Sequence, residues 1–376
     1  MQFIDLQKQY SVLKKKIDER IGKVLSVGHY IGGEEVGELS DRLAAYCGAK
    51  YCLTCANGTD ALTLALRCLN VKSGDAVFVP DFTFFASAET PALEGATSIF
   101  VDVEKRTFNL DADRLQEAIE EVIKEGKLIP KAIVSVDLFG LPADYPKIRN
   151  IADKYGLPII EDGAQGFGGS IGGKRACSFG DISTTSFFPA KPLGCYGDGG
   201  AVFTDNREYY ELMCSLAVHG KGSFKYDNVR VGYNSRLDTI QAAVLLEKLE
   251  AFEKYEYDDR NRIAERYTSK LGSKYVTPLI PEGFSSSWAQ YTLTLDDETE
   301  RAEIQEKLKV MQIPTMVYYP KPMHRQSAFA GLPDRSAQLT VSEQLSNTVL
   351  SIPMHPYLTE QDVDFVANAL LECKSR

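Results

Sequence analysis

Between residues 51 and 138 short apolar runs alternate with segments of helical spacing, and this alternation constrains the fold more than any other property of the chain. Residues 51–56, 76–80, 98–101 and 132–138 read as strands, rich in the Val, Ile, Phe and Tyr that suit a pleated, buried surface. Between them Leu62, Leu64, Ala65, Leu66 and Leu69 fall on a helical spacing, and residues 89–95 and 110–125 read as further helices. Strands separated by helices return to one sheet in parallel. The sequence therefore predicts an α/β protein with a large, mostly parallel sheet covered by helices. Ligands of such sheets sit beyond the carboxyl ends of the strands, so the residues that follow each strand are the ones to search.

Several of those strand ends carry chemistry. Residues 157–160 lead into Glu161-Asp162-Gly163-Ala164-Gln165. A carboxylate at a buried strand end is costly without a positive partner, and a protonated pyridine nitrogen would be one. Asp162 is the candidate for that contact, and Gln165 for the hydroxyl or ring of the same cofactor; the plainer reading of Asp162 is a helix or turn cap. Ser186-Phe187-Phe188-Pro189-Ala190-Lys191 sets a lysine between an aromatic, strand-like run and the glycine-rich turn 192–200. Desolvation by Phe187 and Phe188 would lower the amine pKa and make Lys191 a nucleophile toward the aldehyde of pyridoxal phosphate; the plainer reading is a lysine snorkelling at a strand end. The strand 51–56 runs through Asn57-Gly58-Thr59-Asp60-Ala61-Leu62 into a helix, which offers free N–H groups and a positive dipole end to an anion. Gly58 and Thr59 could hold a phosphate there, unless the segment is no more than a capped helix. Phe84 follows another strand and could stack on a flat cofactor or pack in the core.

With 376 residues the chain has room for two domains, expected as a large α/β domain over 1–250 and a smaller α/β domain over 251–376, bridged by a long helix from 239 to 256. At the N-terminal end a short arm, 5–10, precedes a helix over 14–27, and a second helix, 36–46, ends at Gly48. The smaller unit reads as strand 290–295, helix 300–311, strand 315–319 and helices 341–350 and 360–373. The polar stretch 219–227 is expected to be mobile. A net charge of -10 with no basic run argues against nucleic acid and for a small-molecule partner. No leader-like segment opens the sequence and no stretch is long and apolar enough to span a bilayer, so a soluble, cytoplasmic protein is expected. Eight cysteines in such a chain read as reduced thiols. The pair Cys52 and Cys55 has no matching second pair, so no metal site is expected. Gly168-Gly169-Ser170-Ile171-Gly172 fits the hydrolase elbow in spelling only, because Gly173-Lys174-Arg175 follows it rather than an apolar helix.

Taken in order, Asn57 through Leu62, Glu161 through Gln165, Ser186 through Lys191 and Gly232-Tyr233-Asn234-Ser235-Arg236-Leu237-Asp238 resemble the DegT/StrS family of nucleotide-sugar aminotransferases, over nearly the whole chain. The resemblance implies the fold type I, aspartate aminotransferase-like architecture of pyridoxal 5'-phosphate-dependent transferases, in a homodimer with the active site at the subunit interface. Under it Lys191 bears the cofactor and Asp162 partners the pyridine nitrogen. Gly58, Thr59 and Ser186 form the phosphate cradle, and Asn234 reaches the phosphate from the neighbouring subunit. Phe84 stacks on the ring and Gln165 meets its hydroxyl. Glutamate would supply the amino group and a nucleotide-linked keto-sugar would receive it, with Lys191 as general base and acid. Members with His in place of the lysine dehydrate instead.

The runs 186–200 and 230–238, with Ser351-Ile352-Pro353-Met354-His355-Pro356-Tyr357-Leu358, are most similar to members that aminate UDP-2-acetamido-2-deoxy-3-oxo-glucuronate for surface polysaccharides such as lipopolysaccharide. Arg236 would then grip the uronate carboxylate through two hydrogen bonds; its plainer reading is a surface ion pair. Many members place His before a Tyr-Pro pair, where this chain has Tyr318 before Tyr319-Pro320. That keeps a neutral 3-oxo or 4-oxo-6-deoxy sugar open as the alternative, with Tyr318 as a substrate contact in either case. A non-catalytic regulator on the same scaffold is the alternative of a different class, and it would have no need of the amine of Lys191.

Overall fold

Helices here begin and end where side chains or glycines take over missing backbone partners. The structure, a computed structural model, describes residues 1–224, 226–332 and 336–374. α1 (Leu6–Val27) starts at Asp5, whose carboxylate accepts from Lys8 N at 2.8 Å. The expected arm over 5–10 is therefore helix: this cap sets the start earlier than the apolar spacing alone indicates. α2 (Glu34–Cys47) ends at Gly48 in the left-handed conformation, as the glycine's position implies. α3 (Gly58–Cys68), α4 (Ala86–Leu93), α5 (Ala112–Glu125), α6 (Tyr145–Tyr155), α7 (Arg207–Ala217) and α8 (Thr239–Ala251) follow. In α5 Asp111 accepts from Asp113 N and Arg114 N, Leu115, Ala118, Ile119 and Val122 form the buried stripe, and Gly126 closes the end.

The strands are β1 (Tyr51–Cys55), β2 (Asp75–Pro80), β3 (Thr97–Val101), β4 (Ile129–Val136), β5 (Ile159–Asp162), the two-residue β6 (Ser170–Ile171) and β7 (Lys174–Arg175), β8 (Ile182–Ser186) and β9 (Gly200–Thr204). Seven of them make one sheet in the order β1-β9-β8-β5-β4-β2-β3, in which the pairs from β8 to β3 are parallel and β9 runs against both its neighbours. The α/β architecture expected from the alternation is the one observed. β2 is buried along its whole length because the sheet is covered on both faces. Val77 and Val79 pack with Leu62, Leu64 and Leu66 of α3, while Ala76 and Phe78 pack with Leu115, Ile119 and Val122 of α5. The carboxyl ends of β2, β5 and β8 share one edge, which carries Asp81, Asp162 and Ser186.

The C-terminal part departs more from expectation. α8 passes through a π-helical turn, Phe252–Glu256, directly into α9 (Tyr257–Leu271), so residues beyond 256 continue the helix. β10 (Phe284–Ser285) joins β6 and β7, and the Ser170 hydroxyl bonds that of Ser285 at 2.6 Å; Ser170 is a strand residue, with no elbow. β11 (Tyr291–Thr294), α10 (Glu298–Val310), α11 (Thr340–Thr348), β12 (Val349–Ile352) and α12 (Glu360–Cys373) complete the chain. β11 and β12 pair antiparallel and share a core with α9, α10 and α12 around Tyr267, Leu308 and Val366. The helix expected over 341–350 stops at Thr348 because Val349 and Leu350 are ladder partners of Thr294 and Leu293. Among the described residues, 315–319 make the single bridge Met316–Ser351 instead of the expected strand. Short apolar runs carry no period that separates these outcomes. In the stretch 219–227 Lys221 bridges Asn228 and Gly222 N donates to Asp227 O at 2.6 Å, a small hairpin; Lys225 lies outside the described residues. All eight cysteines are free thiols. Among the described residues no helix is long and apolar enough to cross a membrane.

Candidate active site

Asp162 closes β5 at the carboxyl edge of the sheet and is buried. Its Oδ2 accepts from Ser87 Oγ at 2.7 Å and its Oδ1 from Ala164 N at 3.2 Å. Burial pushes the carboxyl pKa up, while Ser87, the Ala164 N–H and the charge of Lys191 pull it back. Lys191 stands in the turn after β8, its backbone N–H donating to Phe188 O at 2.9 Å. The protein around this partly exposed side chain pushes its pKa down, and Asp162 is the one charge that opposes the shift. The two rings expected to desolvate Lys191 differ in burial. Phe187 is fully buried, but Phe188 is 53% exposed, since successive residues leaving a strand face opposite ways.

A few residues away α3 begins. Asn57 Oδ1 accepts from Asp60 N at 2.8 Å and Asn57 O from Ala61 N at 3.1 Å. Among the described residues the N–H groups of Gly58 and Thr59 have no acceptor. A Cβ on Gly58 would come within 2.7 Å of Ser186 Cβ, so glycine keeps open the gap between the helix start and the end of β8. This is a cradle for a phosphate, and together with Lys191 and Asp162 it fits pyridoxal phosphate.

Gln165 is buried one turn beyond Asp162; its Oε1 accepts from Phe139 N at 2.9 Å and its Nε2 donates to Tyr319 OH at 3.2 Å. Phe84 is 52% exposed with its ring tilted 6.3 Å from that of Tyr319, so it is free to cover a flat ligand. Tyr318 is partly buried against Phe3, ring centroids 6.2 Å apart. Asn234 and Arg236 are exposed and bond each other, Arg236 Nη2 donating to Asn234 Oδ1 at 2.6 Å. Arg236 lines a groove with Ile31, Ser40, Asp41 and Lys50, and among the described residues no bond joins either of them to Asp162 or Lys191. One chain thus gathers Gly58, Thr59, Asp162, Gln165, Ser186 and Lys191 at one edge; Asn234 and Arg236 flank Ser235, whose Oγ accepts from Ala56 N at 3.1 Å two residues before the cradle. Sequence reasoning missed Ser87 and Tyr319. Ser87 lies in the first turn of α4, on the Phe84 side of that helix, which was the available signal; Tyr319 had none beyond its neighbour Tyr318.

A lysine amine held below its ordinary pKa beside a buried carboxylate and a phosphate cradle, on a seven-stranded, mostly parallel sheet, defines the class of pyridoxal phosphate-dependent transferases of fold type I. Within that class the chain belongs to the DegT/DnrJ/EryC1/StrS aminotransferase family, whose family model matches residues 11–371. It is 47% identical over 371 residues to the UDP-2-acetamido-2-deoxy-3-oxo-D-glucuronate aminotransferase of Pseudomonas aeruginosa, covering 98% of this chain and 99% of that one. The crystal structure of a DegT DnrJ EryC1 StrS aminotransferase from Brucella abortus matches with a TM-score of 0.97 at 46% identity, over 100% of both chains. NtdA from Bacillus subtilis, solved with bound cofactor PMP, matches with a TM-score of 0.88 at 28% identity, over 100% of this chain and 85% of that one.

Proposed function

We propose that this sugar aminotransferase moves an amino group from glutamate to a UDP-linked 3-oxo sugar of the 2-acetamido-2-deoxy-3-oxo-glucuronate type, in the cytoplasm, for surface polysaccharide synthesis. The observation that carries the chemistry is the mutual field of Lys191 and Asp162 at the sheet edge. The choice of sugar follows the full-length similarity to the Pseudomonas enzyme.

Pyridoxal phosphate, when bound, supplies an aldehyde for the incoming amine and a ring that accepts the electrons left when a proton departs. The N–H groups of Gly58 and Thr59, with the hydroxyls of Thr59 and Ser186, hold its phosphate. Asp162, ionised, holds a proton on the ring nitrogen, and Ser87 keeps that carboxylate aimed. Gln165 meets the ring hydroxyl, and the exposed ring of Phe84 covers one face and excludes water. Lys191 Nζ, inclined to the neutral form, takes the α-proton of the donor and later delivers a proton to the sugar carbon. Asn234 and Arg236 serve the neighbouring subunit's site in a homodimer, Asn234 at the phosphate and Arg236 at the uronate carboxylate. Tyr318 faces the sugar. The division at 1–250 and 251–376 puts the boundary within the helix that carries the π-helical turn.

A neutral 3-oxo or 4-oxo-6-deoxy sugar is the second reading, favoured by Tyr318 standing where many relatives have His. An absorbance spectrum of the purified protein before and after glutamate, followed by a screen of 3-oxo and 4-oxo nucleotide sugars, tests both. A visible band that glutamate bleaches, and turnover fastest with the uronate, is expected. Preference for a neutral sugar would favour the second reading, and no band even after incubation with the cofactor would turn the scaffold into a regulator or binding protein.

A further inference from the structure

Both ring nitrogens of His324 face carboxylates. Nδ1 lies 2.6 Å from Asp81 Oδ2 and Nε2 lies 2.9 Å from Glu343 Oε1, while His324 N donates to Asp81 Oδ1 at 2.8 Å. A neutral imidazole has one N–H and one lone pair. With both carboxyls ionised, one contact in that form would set a lone pair against a carboxylate oxygen, so holding both then requires the imidazolium; burial pushes the Asp81 carboxyl pKa up, and its bonds from His324 pull it back. Asp81 is fully buried and the His324 side chain is 9% exposed. Asp81 follows β2 and Glu343 lies in α11; Asp102, after β3, adds a negative charge near Asp81 while accepting from Val341 N and Ser342 N. Against these stands Arg325, which donates to Glu343.

The two segments joined here are walls of the active site. Asp81 opens the run that reaches Phe84 and then Ser87, the donor to Asp162. His324 ends the run that carries Tyr318 and Tyr319, and its neighbour Met323 donates through N to Asp81 O at 2.8 Å. The rings of Phe82 and Phe84 lie 6.1 and 6.3 Å from that of Tyr319, and Tyr319 in turn accepts from Gln165.

We propose that protonated His324 is a positioning residue: its contact with Asp81 fixes residues 318–324 against residues 81–87, its contact with Glu343 ties that pair to α11, and the complete bridge Asp81–His324–Glu343 sets the wall that the sugar meets. Its effect on turnover rests on the functional reading above; its ionisation does not. Burial disfavours the charge, but the bonds to Asp81 and Glu343 outweigh it and raise the pKa. The bridge is therefore complete below the ordinary histidine pKa and is lost as pH rises through the folded value. On deprotonation Nδ1–H stays with buried Asp81, and the Glu343 contact opens.

Histidine-selective 13C NMR on the full-length holoenzyme is the test. The chain has four histidines, and the signal that is missing in His324→Gln, or the one moved by Glu343→Gln should the first variant not fold, belongs to His324. It is expected to titrate above about 6.5, the ordinary value, and to move down in Glu343→Gln. In parallel, the alkaline limb of kcat/KM for the sugar should shift down in Glu343→Gln, and His324→Gln should raise KM about tenfold with a smaller change in kcat. A signal that titrates at or below the ordinary value, or that ignores Glu343→Gln, overturns the bridge, as does a KM untouched by both variants. If no sugar is turned over while the signal titrates high and follows Glu343→Gln, the substrate reading falls and the bridge stands.

Discussion

Lys191 and Asp162 depend on each other: the lysine pKa is pushed down by its surroundings and back up by Asp162, while the Asp162 pKa is pushed up by burial and pulled back by Ser87, the Ala164 N–H and the charge of Lys191. Replacing Lys191 with Ala removes the base and should lower amino transfer about a thousandfold, the usual worth of a positioned proton-transfer group; a steady-state assay with circular dichroism as the fold control measures it. Gly58→Ala probes the cradle without touching the chemistry. Its new Cβ meets Ser186 Cβ at 2.7 Å, so either the helix start or β8 must shift, and cofactor affinity should fall about tenfold, read as a dissociation constant by absorbance titration. These residues were legible in the sequence because each lies in a short run whose local geometry is its function: a strand end, a glycine at a helix start, a lysine before a tight turn. Ser87 and Tyr319 were not. Ser87 is 75 positions from the Asp162 it bonds and Tyr319 is 154 positions from Gln165, and only the fold brings them close.

At the scale of elements, the sheet and its helices were readable because β2 and the last five residues of β4 are buried and almost continuously apolar, and β5 opens on Ile159 and Ile160 before its two carboxylates. The C-terminal elements were harder. Nothing in Phe252–Glu256 announces a π-helical turn, and it is tertiary contact that settles it: Glu256 is turned inward to accept from Gln9 of α1 at 2.9 Å and from Tyr357 beyond β12. The same junction carries His355, buried and, among the described residues, with no partner for Nδ1. Burial first, and the charge of Arg260 second, push its pKa down to about 4. A folded pKa below the ordinary histidine value gives stability that is present above about 6.5 and is lost as pH falls toward the folded value. Urea unfolding should therefore show a loss of roughly 2 kcal/mol between pH 7 and pH 5 that His355→Gln abolishes. Equal pH slopes in the two proteins would show that His355 is not the group responsible.

At the scale of the whole molecule, the same short motif supplies Asn234 and Arg236, both exposed and bonded to each other, with Arg236 in a groove lined by α2 and β1. The sequence motif is plain, yet its meaning depends on which chain's site it serves. If both residues act in the site of a second copy, each active site takes Lys191 from one chain and Arg236 from the other, and defects on different chains complement. Lys191→Ala and Arg236→Ala should each be inactive alone. When they are unfolded together in equal amounts and refolded, half of the dimers are mixed. In a mixed dimer the site built from the intact Lys191 of one chain and the intact Arg236 of the other is whole, while the opposite site lacks both. About a quarter of all sites, and so about a quarter of wild-type turnover, should return. Had Arg236 served its own chain's lysine, every site would carry one defect and mixing would restore nothing, which makes the refolded mixture a direct measure of whether two copies of the chain share their active sites.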